Sequence, residues 1–350
     1  MIQELSDAKA PSGFEDEAVA VAKKYGAEFA DVEEDCLRNL YLRSKNNTGN
    51  KPVFMLDAHS DEVGLMVHSI KPNGTLRFVS LGGWSDNSLP ASKVLVRNKY
   101  GKFIPGVIAA KPPHFMTPAE RQNAGSTSIQ SLVIDIGATS KEDAVENFGI
   151  RIGEPIISDV HFSYDEEHDV MIGKGFDCRI GCAALLETMR RLSDENLNVD
   201  LVGVLSTQEE LGERGVKVAV GKVQIALCFE GCPADDTFTE PYAIQTALKK
   251  GPMLRFMDKS IVCSPRYQRY VLDLAEEKGL AVQSSVREGG GNNGAIINTS
   301  LDGIPVIVVG VPVRYIHSHY GITSYYDFEA TVQLATEVVR SMTEEIIRSF

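Results

Sequence analysis

His59, His317 and several carboxylates fall in short clusters along the 350-residue chain. His59 stands in Asp57-Ala58-His59-Ser60-Asp61-Glu62, directly after an apolar run. Its imidazole is available as a ligand, and Asp61, two residues on, can accept the other ring N–H and fix the tautomer. Asp177 stands in Gly175-Phe176-Asp177-Cys178-Arg179-Ile180-Gly181-Cys182, where a helix should open. The ordinary role for an aspartate there is a cap; the functional one is a carboxylate bridging two metal ions. Arg179 is then either an ion-pair partner or a solvated first-turn residue. Glu209 and Glu210 follow the strand-like Val202-Gly203-Val204-Leu205. Desolvating adjacent carboxylates at the end of a buried strand is expensive unless each manages a metal or a proton. Glu230 ends the next such run, and His317 lies in Arg314-Tyr315-Ile316-His317-Ser318-His319 past another. Singly, each is compatible with a solvated turn. Together they form an N/O donor set that needs no thiolate and suits zinc, cobalt or manganese in a catalytic site with open positions.

The elements that must hold these residues are legible as strands apolar along their whole length, 53–57, 199–205, 223–229 and 304–309. Such strands have both faces covered. Amphipathic helical patterns at 15–24, 180–192, 266–278 and 327–349 alternate with them, which predicts an α/β fold with a mostly parallel sheet flanked by helices. In such sheets, sites assemble at the carboxyl ends of strands. Between about 67 and 163 the pattern changes to short alternating runs, such as 75–79 and 93–97, broken by Gly, Pro and Asn. This reads as a smaller β-rich domain inserted into a catalytic domain made of 1–66 and 164–350.

Composition narrows the partners. A net charge of -13, from 35 basic and 48 acidic side chains, disfavours binding to nucleic acid or anionic lipid, and leaves small molecules or peptides. No run is long and apolar enough to span a bilayer. Met1-Ile2-Gln3-Glu4 lacks the basic and apolar regions of a secretory signal, so a cytoplasmic location is expected. The six cysteines include no C-x-x-C pair and read as buried thiols.

The ordered set His59-Ser60-Asp61, Asp177-Cys178-Arg179-Ile180-Gly181, Glu209-Glu210-Leu211-Gly212, Glu230 and Arg314-Tyr315-Ile316-His317-Ser318 resembles the tetrahedral, glutamyl and deblocking aminopeptidases. The likeness extends to Pro11-Ser12-Gly13, Glu15, Leu81-Gly82-Gly83-Trp84, Lys111-Pro112-Pro113-His114 and Gly289-Gly290-Gly291. It implies a two-metal peptidase, with zinc as the expected ion and cobalt or manganese as alternatives. His59 and Glu230 would hold one ion, Glu210 and His317 the other, and Asp177 would bridge them. Glu209 would be the general base and Asp61 would orient His59. Short peptides would be the substrates, and the chain would form a homo-oligomer, from a dimer up to a tetrahedral dodecamer. No residue is assigned to recognition of the substrate side chain. Three positions depart from the family pattern: Cys178 stands where a second acid is usual, Glu230 where Asp is usual, and Gly291-Asn292 where Thr-Asp is usual. They motivate a second expectation, a catalytically altered homologue that binds peptide or metal. An endoglucanase-type glycosidase is a third, against which the two histidines weigh because a two-carboxylate mechanism has no use for them.

Overall fold

The computed structural model describes residues 1–118, 121 and 127–350. The chain enters through helices Ile2–Asp7 and Asp16–Gly26 and lays down β1 (Ala30–Glu34), β2 (Leu40–Ser44) and β3 (Val53–His59). It then builds β4 (Gly64–Ile70), β5 (Leu76–Leu81), β6 (Lys93–Arg97), β7 (Phe103–Ala109), β8 (Val133–Asp135) and β9 (Pro155–Ser158). These six close into a barrel in the order β4-β5-β8-β7-β6-β9. The remaining strands are β10 (Ser163–Asp165), β11 (Val170–Gly173), β12 (Asp200–Ser206), β13 (Ile225–Pro233), β14 (Met253–Met257), β15 (Gln283–Val286), β16 (Val306–Val313) and β17 (Gly321–Thr323). The expected α/β architecture with a β-rich insert is present.

An eight-stranded sheet, β1-β2-β12-β3-β13-β16-β14-β15, forms the second body. Its centre, β12, β3, β13 and β16, is parallel, with Ser206 beside His59 and Glu230 beside Gly310. Alternation along these strands explains why they read as unbroken apolar runs. Phe54, Leu56, Leu227, Phe229, Ile307 and Val309 face one core, shared with helices Phe176–Leu192 and Tyr325–Ser341. Met55, Ala226, Cys228, Val306 and Val308 face the opposite core, shared with Val216 and Ile297 of helices Arg214–Ala219 and Asn293–Asn298. Each such Leu, Ile or Phe contributes about 1.5–3 kcal/mol by leaving water, so strand direction at the sheet centre is strongly fixed.

The C-terminal helix expected at 327–349 is two helices, Tyr325–Ser341 and Glu344–Arg348. The break lies at Met342, whose backbone is extended, and the Thr343 hydroxyl accepts from Ile346 N to cap the second helix. A threonine followed by two glutamates is a helix-start signal that the continuing apolar period concealed. Five of the six cysteines are buried, Cys36 is exposed, and all are free. Among the described residues no helix is long and apolar enough to cross a membrane.

Candidate metal centre

The carboxyl ends of β3, β12 and β13 deliver His59, the turn after Ser206 and Glu230 to one place. A loop after β16 brings His317, and the first turn of helix Phe176–Leu192 brings Asp177. The structure thus gathers His59, Asp177, Glu209, Glu210, Glu230 and His317 from segments far apart in sequence. Asp177 lies between the two histidines: its Oδ1 is 3.2 Å from His59 Nε2 and its Oδ2 is 3.3 Å from His317 Nε2. Glu230 Oε2 lies 3.7 Å from His59 Nε2, Glu209 Oε2 lies 3.9 Å from the same atom, and Glu210 Oε1 lies 3.5 Å from His317 Nε2.

Asp61 is the buried anchor of this arrangement. Its Oδ1 is 3.3 Å from His59 Nδ1 and accepts from Glu209 N at 3.0 Å, while Oδ2 accepts from Glu210 N at 3.2 Å and from the Ser12 hydroxyl at 2.6 Å. One carboxylate therefore sets the imidazole and the backbone of both glutamates. Glu15 adds a second tie, accepting from Gly13 N and Gln208 N.

Asp177 makes no capping bond. The helix backbone is non-helical at Asp177 and Cys178, and this turns the carboxylate to the two histidines. The turn is held by an ionic knot in which Glu62 Oε1 lies 2.7 Å from Lys174 Nζ and 3.4 Å from Arg179 Nη2. Arg179 also donates to the carbonyls of Leu5 and Ala10 and is fully buried, so the solvated reading of that residue is overturned. Gly175 is required between them: its backbone is left-handed at φ 59°, and a Cβ would stand 3.0 Å from Glu62 Oε2.

Charge in this cluster is out of balance. Burial, reinforced by Asp61 and Asp177, pushes Glu209 up to about 8. Burial likewise drives Glu210 and Glu230 well above the usual carboxylate range. Burial opposes protonation of His59 and His317, but the acids outweigh it, Glu209 foremost at His59 and Asp177 at His317, raising the first well above its ordinary value and the second to about 9. Burial also opposes ionisation of Asp177, and the hydrogen bonds of His317 and His59 overcome it, so its pKa is lowered. Glu209, Glu210 and Glu230 each demand a proton or a cation. Glu210 Oε1 is buried and makes no hydrogen bond. His59, Asp177, Cys178 and Glu230 each bring a donor atom within 4.8 Å of the others, as do His59, Glu209 and Glu210, and as do Asp177, Glu210 and His317. The donor set fits divalent cations.

Asp177, Glu209, Glu210, Glu230 and His317 face a cavity of about 380 Å³ that is also lined by Glu213, Arg255, Arg287, Gly289, Gly290 and Gly291. A larger groove of about 670 Å³, over Val53, Met55, Val202 and Val204, contains none of these residues. Asn292 is buried outside the cavity. It caps helix Asn293–Asn298 through Gly294 N and donates to Asp258, so this departure acts on the loop and not on a ligand position. The sequence assigns no role to Ser12, Glu15, Arg255 or Arg287. They carry no spacing signal, because their partners lie far away in the chain.

The fold recurs in solved proteins. A TET aminopeptidase from the marine sediment archaeon Thaumarchaeota archaeon SCGC AB-539-E09 is 34% identical, with a TM-score of 0.94 over 99% of this chain and 98% of that one. A Pyrococcus horikoshii TET1 peptidase, described as assembling into a tetrahedron or a large octahedral shell, is 28% identical with a TM-score of 0.86 over 97% and 98%. The glutamyl aminopeptidase of Lactococcus lactis subsp. cremoris is 32% identical over 98% of this chain and 96% of its own. Residues 39–334 match the family described as M42 glutamyl aminopeptidase, and the chain belongs to that family of peptide hydrolases.

Proposed function

We propose that the protein is a metal-dependent aminopeptidase that removes the N-terminal residue from short peptides in the cytoplasm. The observation that carries this is Asp177, whose two oxygens each face a different histidine. In this reading His59 and Glu230 hold one ion, Glu210 and His317 hold the other, and Asp177 serves both; zinc is the expected metal, with cobalt or manganese as substitutes. Two divalent ions, when bound, polarise a carbonyl and lower the pKa of water at the site. Glu209 is not needed as a ligand. Its carboxylate takes the proton of the attacking water and passes it to the leaving amine. Asp61 keeps His59 oriented and, through the Glu209 and Glu210 amides, holds the base and a ligand in register. Acids at the cavity floor receive a free α-ammonium, which restricts cleavage to the chain end. We assign residues 1–66 and 164–350 to catalysis, and 67–163 to assembly and substrate access in a homo-oligomer, from dimer to dodecamer.

The test is a panel of short peptides with free and acetylated N-termini, run before and after chelation. Cleavage of the free peptides alone, lost on chelation and restored by zinc, cobalt or manganese, is expected. Chelator-resistant activity overturns the metal assignment, and cleavage of a β-glucan by the pure protein overturns the peptide one.

A further inference from the structure

The two ends of the cluster do not offer the same donors. Beside His317 stand Asp177 and Glu210, an imidazole and two carboxylates. Beside His59 stand Asp177, Glu230 and also Cys178, whose sulfur falls within the same 4.8 Å set. Two other buried cysteines are near, and neither belongs to a ligand group among the described residues: Cys182 donates to the His59 carbonyl at 3.0 Å, and Cys228 lies 3.6 Å from Asp57 Oδ2. Cys178 is fully buried, with Sγ 3.3 Å from the carbonyl of Phe229, the residue before Glu230. A Cβ at position 181 would collide with that sulfur, so Gly181 leaves the space it occupies. A buried thiol bonded to a carbonyl is complete without a metal; what sets this one apart is the three other ligand atoms converging on it.

Resting on the two-metal reading above, we propose that Cys178 gives its thiolate to the ion held by His59, Asp177 and Glu230. That position then has four protein ligands, one imidazole, one sulfur and two carboxylates. The Asp177, Glu210 and His317 position keeps three protein ligands and an open place. When the sulfur–metal bond forms, the S–H bond breaks and its proton leaves to solvent; the dication compensates a thiolate that burial alone would not tolerate. A closed, sulfur-containing position favours zinc and cobalt over manganese, whereas the all-N/O position discriminates less. One ion is thus retained tightly, and the exchangeable ion sits at the open position.

The experiment uses the full-length protein carrying Cys36→Ser, which removes the exposed thiol. It is stripped with chelator and titrated with cobalt(II), while absorbance and bound metal are read together. A near-ultraviolet sulfur-to-cobalt charge-transfer band that saturates at one equivalent is expected. It should vanish in Cys178→Ser and survive in Cys182→Ser and Cys228→Ser, with circular dichroism checking the fold of each. Zinc affinity for the tight equivalent should fall in Cys178→Ser by at least about 10-fold, the low end of what losing even an outer partner of a ligand costs. Cobalt binding with no such band in the parent protein overturns the role of Cys178 and leaves the two-metal reading intact, as does a band that persists in Cys178→Ser. Failure to bind cobalt at all overturns both.

Discussion

His59 and Glu230 project from β3 and β13, neighbouring parallel strands at the sheet centre, and their side chains are 1% and 7% exposed. Glu210 and His317 project from a short turn and a loop in which Tyr315 and His317 both have left-handed backbones, and the His317 side chain is 38% exposed. The supports differ as well. Under His59 lies the N-terminal segment, through Ser12 to Asp61 and Glu15 to Gln208 N. Against His317 lies the barrel. Gly83 stands beside its ring, Trp84 bonds the Gly64 carbonyl and packs on His319 at 5.0 Å, and His319 pairs with Ser158 at 2.7 Å. The difference separates two tasks. A ligand pair on the sheet is pre-organised by the core, while a pair on loops can be adjusted by the inserted barrel, on the side where the cavity opens.

The widest separation should come from Glu209 and Glu210, adjacent on one turn, of which the first faces His59 and the second faces His317. Glu209→Gln should keep both metal equivalents and lower kcat by about 100- to 10,000-fold, the scale of lost general acid–base catalysis. Glu210→Gln should lose one equivalent, because it removes an anionic ligand from the loop-borne side. Metal analysis of the purified variants, before any assay, reads the distinction. Equal metal loss in both, or retained turnover in Glu209→Gln, breaks the assignment of roles.

The sheet-borne half was the more legible in sequence. Its strands are continuous apolar runs, and Asp57 through Asp61 and Glu230 follow them directly, so burial and position could be read together. The outer strands β1, β2, β14 and β15 escaped, since their burial alternates or is broken by polar residues such as Asp31, Glu33 and Arg43. His317 and Glu210 could be ordered along the chain, but their contact with Gly82 and Gly83 could not. It joins residues more than a hundred positions apart through shape alone. Ser12 and Glu15 share the family resemblance, but their roles were hidden for the same reason: a hydroxyl and a carboxylate in a turn look solvated until the segment they bond is known.

Glu15 sharpens the sheet-borne side through pH. Burial, with Asp61 beside it, raises its carboxyl from 4.5 to about 7. The unfolded chain loses this proton at lower pH than the folded one, so stability falls as pH rises from 4.5 to about 7 and levels above that. Glu15→Gln keeps an oxygen for Gly13 N and Gln208 N but carries no charge. Denaturation midpoints of the two proteins should therefore converge near pH 4.5 and diverge toward pH 8, where the variant is the more stable, by at most about 3 kcal/mol. A difference that is constant with pH would mean that Glu15 supports the site through packing and not through its charge.

The smallest effect tests the loop-borne side, and Gly83→Ala is the substitution that isolates it. Unlike Gly82, whose φ of 84° disfavours any side chain, Gly83 has a backbone that alanine can adopt. Its added Cβ would stand 3.2 Å from His317 Nδ1, closer than ordinary contact, so the ring or the barrel loop must move by a few tenths of an ångström. Displacing one ligand this far should cost about 1 kcal/mol, the low end for overpacking, or about 5-fold in affinity. Calorimetric titration of the stripped protein with zinc should show that loss in the weaker equivalent only, with the tighter one unchanged, because the added Cβ would meet His317 and neither His59 nor Glu230. Both equivalents weakening together would mean that the cluster responds as one body through Asp177, and that the barrel acts on the whole site instead of one side of it.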